Sequence, residues 1–95
     1  MITLHIALDV RAGQGPTLEA LYREAYVPAI TKQDGFRATT LLRSATEDHR
    51  YEIDIAFDTE AQRVAWAGGP DHEATWPRVV ALCTDFSAQG FTILA

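Results

Sequence analysis

Two indoles and an imidazole fall within eleven residues of this chain: Trp66, His72 and Trp76, set around the break Gly68-Gly69-Pro70. His72 and Trp76 are four apart, so on a helix they share one face. An imidazole titrates near neutrality and can hold or move a proton. Paired aromatics with one such group suit the wall of an apolar pocket for a flat ligand. Tyr22, Tyr26 and Tyr51 could add hydroxyls to the same cavity, since a buried phenol wants a partner for its O–H. The same five aromatics also read as core anchors, with His72 hydrogen-bonded locally.

A second constellation pairs His5 with Asp54 or Glu52. A carboxylate beside an imidazole orients a general base. The competing reading is a charged cross-strand network with Arg37 and Arg43 at an interface. Other chemistries lack their residues. His5, His49 and His72 stand at no helical ligand spacing, and neither H-x-x-x-H nor C-x-x-C occurs, so no metal site is expected. Gly13-Gln14-Gly15 lacks the fuller glycine pattern and the Lys of a phosphate loop. No G-x-S-x-G is present. Cys83 is the single cysteine, behind the apolar run Val79-Val80-Ala81-Leu82, and reads as a core residue of a reducing compartment.

The elements that must position these residues follow from periodicity. Ile2, Leu4, Ile6, Leu8 and Val10 alternate with Thr3, His5, Ala7 and Asp9, which predicts a strand over 2–10. Apolar residues at helical spacing predict an amphipathic helix over 17–33, which Pro28 should kink or end. Strands are expected over 36–45 and 50–58. Thr59-Glu60-Ala61-Gln62 has the capping-box form and opens a short helix carrying Val64 and Trp66. A further helix is expected over 71–83, with Pro77 marking a bend or a fresh start, then a strand over 85–94.

The order β-α-β-β-α-β is the ferredoxin-like split βαβ pattern of the α+β class: a four-stranded antiparallel sheet with helices on one face. Its first and third strands lie side by side at the centre. The helix-free face should carry His5, Asp9, Arg37, Leu41, Arg43, Glu52 and Asp54, either solvated or paired with a second copy.

Composition bounds the rest. Ninety-five residues allow a single domain, 1–95, with a modest core. Eight Lys and Arg against thirteen Asp and Glu leave a net charge of −5, which argues against nucleic acid and anionic membranes as partners. The N-terminal stretch carries no signal-peptide pattern and no apolar run is long enough to span a membrane, so the expected location is cytoplasmic. The chain contains no Asn, so any side-chain amide must come from Gln14, Gln33, Gln62 or Gln89.

The element order, the helix end near Pro28 with Gln33-Asp34-Gly35-Phe36, and the stretch Ala61-Gln62-Arg63 through Trp66, His72 and Trp76-Pro77 resemble the antibiotic biosynthesis monooxygenase domain. That resemblance covers nearly the whole chain. It implies a ferredoxin-like protomer that forms a homodimer sheet to sheet, as a dimeric α+β barrel, with a pocket between sheet and helices. It further implies oxygenation of a phenolic or quinol-like aromatic without metal, flavin or other cofactor. His72 would be the catalytic base or hydrogen-bond partner, Trp66 and Trp76 would hold the ring, and Tyr22 and Tyr26, with Tyr51, would bind the substrate's oxygens. In the haem-degrading branch an Asn, a Trp and a His ligand form the site; here Ile6 and Trp76 stand at the Asn and His positions and only Trp66 matches, so haem degradation is not expected. Two other readings of the same fold are a non-catalytic module that binds a small aromatic or dimerises, and a lyase- or isomerase-like activity.

Overall fold

Alternation of apolar and polar side chains builds the sheet. In the computed structural model, which describes residues 1–95, β1 (Ile2–Val10), β2 (Phe36–Arg43), β3 (Arg50–Phe57) and β4 (Cys83–Thr92) form one antiparallel sheet in the order β2-β3-β1-β4. The helical segments α1 (Gly15–Leu21), α2 (Val27–Thr31), α3 (Glu60–Ala67) and α4 (Pro70–Val80) complete the expected order. The ferredoxin-like α+β class and the central pairing of β1 with β3 are therefore as expected.

Ile6, Leu8 and Val10 of β1 and Tyr51, Ile53, Ile55 and Phe57 of β3 are buried on one face. Leu18, Leu21, Ile30, Trp66 and Val79 of the helices close the core over them. None of the helices is long and apolar enough to cross a membrane.

Between α1 and α2 the helix widens into a π turn, Tyr22–Tyr26, in which the Val27 N–H donates to the Tyr22 carbonyl. Pro28 explains it. A proline ring clashes with the carbonyl four residues back, and the wider turn relieves that clash without ending the helix. The helix therefore runs on to Thr31 instead of stopping at Pro28. Likewise α4 passes through Pro77 to Val80 without a fresh start, and ends three residues short of the expected boundary.

The placement of β2 departs from simple alternation. Phe36 pairs with Phe57, but Ala38 pairs with Ala56, so Arg37 is an extra residue in a β-bulge. One inserted residue inverts the facing of everything after it. Thr39, Leu41 and Arg43 consequently share the helix-covered face with Ile55, Ile53 and Tyr51, while Thr40 and Leu42 join Asp54 and Glu52 on the helix-free face. Leu41 and Arg43 are thus on the opposite face from the one that unbroken alternation from Phe36 predicts. The bulged Arg37 turns aside to pair with Asp58.

Candidate functional site

The site residues are phased by two helix starts. Thr59 Oγ1 accepts from the Gln62 N–H at 3.2 Å, and Gln62 Oε1 accepts from the Thr59 N–H at 3.2 Å. This capping box fixes where α3 begins, and with it the inward aim of Trp66, which is 2% exposed. Gly69 then caps α4 in extended geometry, with Pro70 in its first turn. His72, Thr75, Trp76 and Val79 follow on the inner face of α4, as the (i, i+3, i+4) spacing requires. Gln33 ties this start to the first helical run: its Nε2 donates to the Ala29 carbonyl at 2.9 Å and to Asp71 Oδ2 at 2.8 Å.

Between these helices and the sheet lies a cleft of about 80 Å³. Leu4, Ile6 and Ile55 form its floor, and Tyr26, Trp66, His72 and Trp76 its walls. Phe86 and Ala88 of β4 stand at its outer side, with Phe86 exposed.

The rings form a continuous chain. Tyr22 stacks on Tyr26 at 5.7 Å, and Tyr26 meets Trp66 edge-on at 5.8 Å. Trp66 meets His72 edge-on at 5.2 Å, His72 stacks on Trp76 at 5.8 Å, and Trp76 meets Phe86 edge-on at 5.3 Å. Both are the arrangements aromatic quadrupoles favour.

Electrostatics separates the titratable groups. Burial lowers the His72 pKa from its ordinary value, the nearby Glu73 only partly opposing it, so the imidazole is neutral at neutral pH. Burial pushes the Tyr26 phenol well above its usual range, and the neighbouring Tyr22 adds to this. Tyr26 is therefore a hydroxyl donor and not a base. Arg63 also lines the cleft, and its guanidinium is paired bidentately with Glu60.

Of the residues singled out from the sequence, His72, Trp66, Trp76 and Tyr26 are brought together in the cleft. Tyr22 reaches it only through the Tyr26 ring; its hydroxyl donates to Thr39 Oγ1 at 3.1 Å. Tyr51 lies away from it, donating to Glu19 Oε2 at 2.7 Å, with its pKa raised by burial and by that bond. Both line a separate depression with Arg23 and Arg43.

His5 and Asp54 are directly opposed on β1 and β3, with Nε2 and Oδ2 4.0 Å apart, on the face away from the cleft. That separation is too long for a hydrogen bond. Glu52 lies beside Asp54 on that face, and the neighbouring carboxyl, with burial adding to it, holds the Glu52 carboxyl above the usual range.

Among the cleft residues that were not candidates are Arg63 and Phe86. Arg63 stands one turn before Trp66, a spacing that would have marked it. Phe86 comes from the edge strand, and only the β1–β4 register, pairing it with Leu8, brings it to the cleft side.

The comparisons with known proteins bear on what this cleft is. The antibiotic biosynthesis monooxygenase family model matches residues 1–78. The chain belongs to that family. No curated protein matches it. Among solved structures, it is similar to a variant of MhuD determined with two manganese protoporphyrin IX molecules bound per active site, at 27% identity over 100% of this chain and 96% of that one, with a TM-score of 0.85. SnoaB, a cofactor-independent oxygenase from Streptomyces nogalater, shares 20% identity over 99% and 93% of the two chains at a TM-score of 0.87. An uncharacterized NIPSNAP domain protein from Burkholderia xenovorans shares 22% over 100% and 96% at 0.72.

The antibiotic biosynthesis monooxygenase fold thus encloses the aromatic cleft described above. Ile6 and Trp76, at the positions that the resemblance assigns to the amide and the iron ligand, both line the cleft, and the imidazole in its wall is that of His72.

Proposed function

We propose that this protein is a small monooxygenase that oxidises a phenolic or quinol-like aromatic in the cleft between sheet and helices. The observation that carries the reading is a neutral imidazole, His72, held between two indoles in an apolar wall. Family membership and the likeness to a cofactor-independent oxygenase support it.

Trp66 and Trp76 hold the ring, and the Tyr26 hydroxyl donates to a substrate oxygen. His72, neutral at working pH, accepts the phenol proton. The resulting phenolate is electron-rich and passes electrons to O₂. A ring C–H bond is replaced by a C–O bond, one oxygen atom enters the product as a carbonyl, and the other leaves as water with the two hydrogens removed. The phenol supplies all four electrons, so the balance closes as phenol + O₂ → quinone + H₂O. General-base help of this kind is worth roughly 10²–10⁴ in rate.

The cleft volume of about 80 Å³ is below the roughly 300 Å³ at which ligand pockets begin, so substrate entry requires Trp76 and Phe86 to swing outward. The outer location of Phe86 allows this. We further propose a homodimer through the helix-free sheet face, which would cover the exposed Leu42 and Phe91. Sedimentation equilibrium tests the dimer: a monomer at micromolar concentration removes it.

Oxygen uptake over a panel of phenols and quinols tests the activity. Turnover is expected for the wild type and at least about 100-fold less for His72→Ala; equal turnover by the variant overturns the assigned role. The narrow cleft favours one competing reading, a non-catalytic module that binds a small aromatic. It predicts ligand-dependent thermal stabilisation with no oxygen consumed.

A further inference from the structure

The charge in the cleft wall is the group that the reaction above leaves unused. Arg63 lines a cleft that is apolar apart from it and His72, with a side chain only 19% exposed. A cation in such a wall is costly unless paired. Glu60 provides the pair: its carboxylate accepts from Nε at 3.1 and 3.0 Å and from Nη2 at 2.6 Å. That grip holds one edge of the guanidinium and leaves Nη1 with no protein hydrogen bond. Arg63 also stands one helical turn before Trp66, so the fork and the indole belong to the same wall. A planar guanidinium held by one edge is suited to receive an anionic oxygen on the other. No carboxylate lines the cleft to oppose it.

We propose that Arg63 is a specificity-determining residue, selecting aromatic ligands that bear an anionic oxygen, a carboxylate or a phenolate, through Nη1. The inference rests on the cleft being an aromatic ligand site, as read above, and adds the charge of the ligand. Binding, and not turnover, is what it predicts, so it stands apart from the oxygenase reaction itself.

Calorimetric titration of the full chain with 2-naphthoate and its neutral isostere 2-naphthamide tests it. The wild type is expected to bind the naphthoate at least about tenfold tighter, the worth of one charge-assisted hydrogen bond. Arg63→Met and Arg63→Gln should both lose that preference while still binding the amide, and Arg63→Lys should keep part of it. Melting curves identify any variant that fails to fold, and the second neutral variant then carries the comparison. Repeating the titration with 2-naphthol below and above its own ionisation separates phenolate from carboxylate recognition. Equal affinity of the wild type for naphthoate and naphthamide overturns the role of Arg63 and leaves the cleft as a ligand site. A preference unchanged in both neutral variants does the same. Failure of every probe to bind the wild type overturns the cleft reading and this inference with it.

Discussion

The His72 imidazole stacks on the Trp76 indole, ring centroids 5.8 Å apart and planes 22° apart, while Trp66 meets the same imidazole edge-on at 5.2 Å. The relationship follows from the four-residue spacing on α4 and from the capping box that aims α3. It gives the cleft a titratable group that burial keeps neutral.

The proton affinity of His72 is lower in the folded chain than in the unfolded one. The neutral form therefore stabilises the fold above the ordinary imidazole value of about 6.5, and that stability is lost as pH falls through the lower folded value. The wild-type Tm should drop more than that of His72→Gln between about pH 7.5 and pH 5. Parallel slopes for the two proteins would show that His72 is not desolvated.

Gly35 has φ of +78°, and a Cβ there would collide with the Gln62 carboxamide that closes the capping box. Gly13, at φ +77°, has open space around it. Gly35→Ala should cost about 2–3 kcal/mol in urea denaturation, and Gly13→Ala about 1 kcal/mol. Equal costs would mean that Gln62 simply moves aside.

Gln33 and Lys32 both reach Asp71, at 2.8 and 3.4 Å, and so tie the end of α2 to the start of α4 beside His72. Gln33→Leu should destabilise the fold by about 1 kcal/mol. It should also speed amide exchange selectively over the first turns of α4. Unchanged exchange there would leave this contact without a positioning role.

On the helix-free face, the Glu52 carboxyl is raised chiefly by the neighbouring Asp54, with burial adding to it. A raised acid stabilises the fold below its unfolded value, and that contribution is lost as pH rises through the folded one. Glu52→Gln places an amide donor beside Asp54 at neutral pH and removes the repulsion. It should be more stable than the wild type by about 0.2–1 kcal/mol at neutral pH. The gap should shrink in mild acid, where the wild-type residue is itself protonated. A less stable variant at neutral pH would indicate that Glu52 has another partner.

The split βαβ order, the four strands and the central β1–β3 pair were legible because alternation and helical spacing are local properties of the chain. Thr59-Glu60-Ala61-Gln62 was legible as a helix start for the same reason. The aromatic cluster was legible in part: Trp66, His72 and Trp76 lie close in sequence, and Tyr26 joins them through the first helical run. Tyr22 and Tyr51 share their residue type, but their hydroxyls are engaged by Thr39 and Glu19.

The chain's own residues determined which side chains seek the core and which spacing puts an imidazole beside an indole. Tertiary structure decided what those patterns face. The Arg37 bulge turns Leu41 and Arg43 toward the helices, because one extra residue in a strand inverts every later side chain and only the register with β3 reveals it. The π turn carries the first helix through Pro28, because a helix can widen locally when packing on both sides holds it. Phe86 enters the cleft from an edge strand, a meeting set by packing that no local pattern encodes.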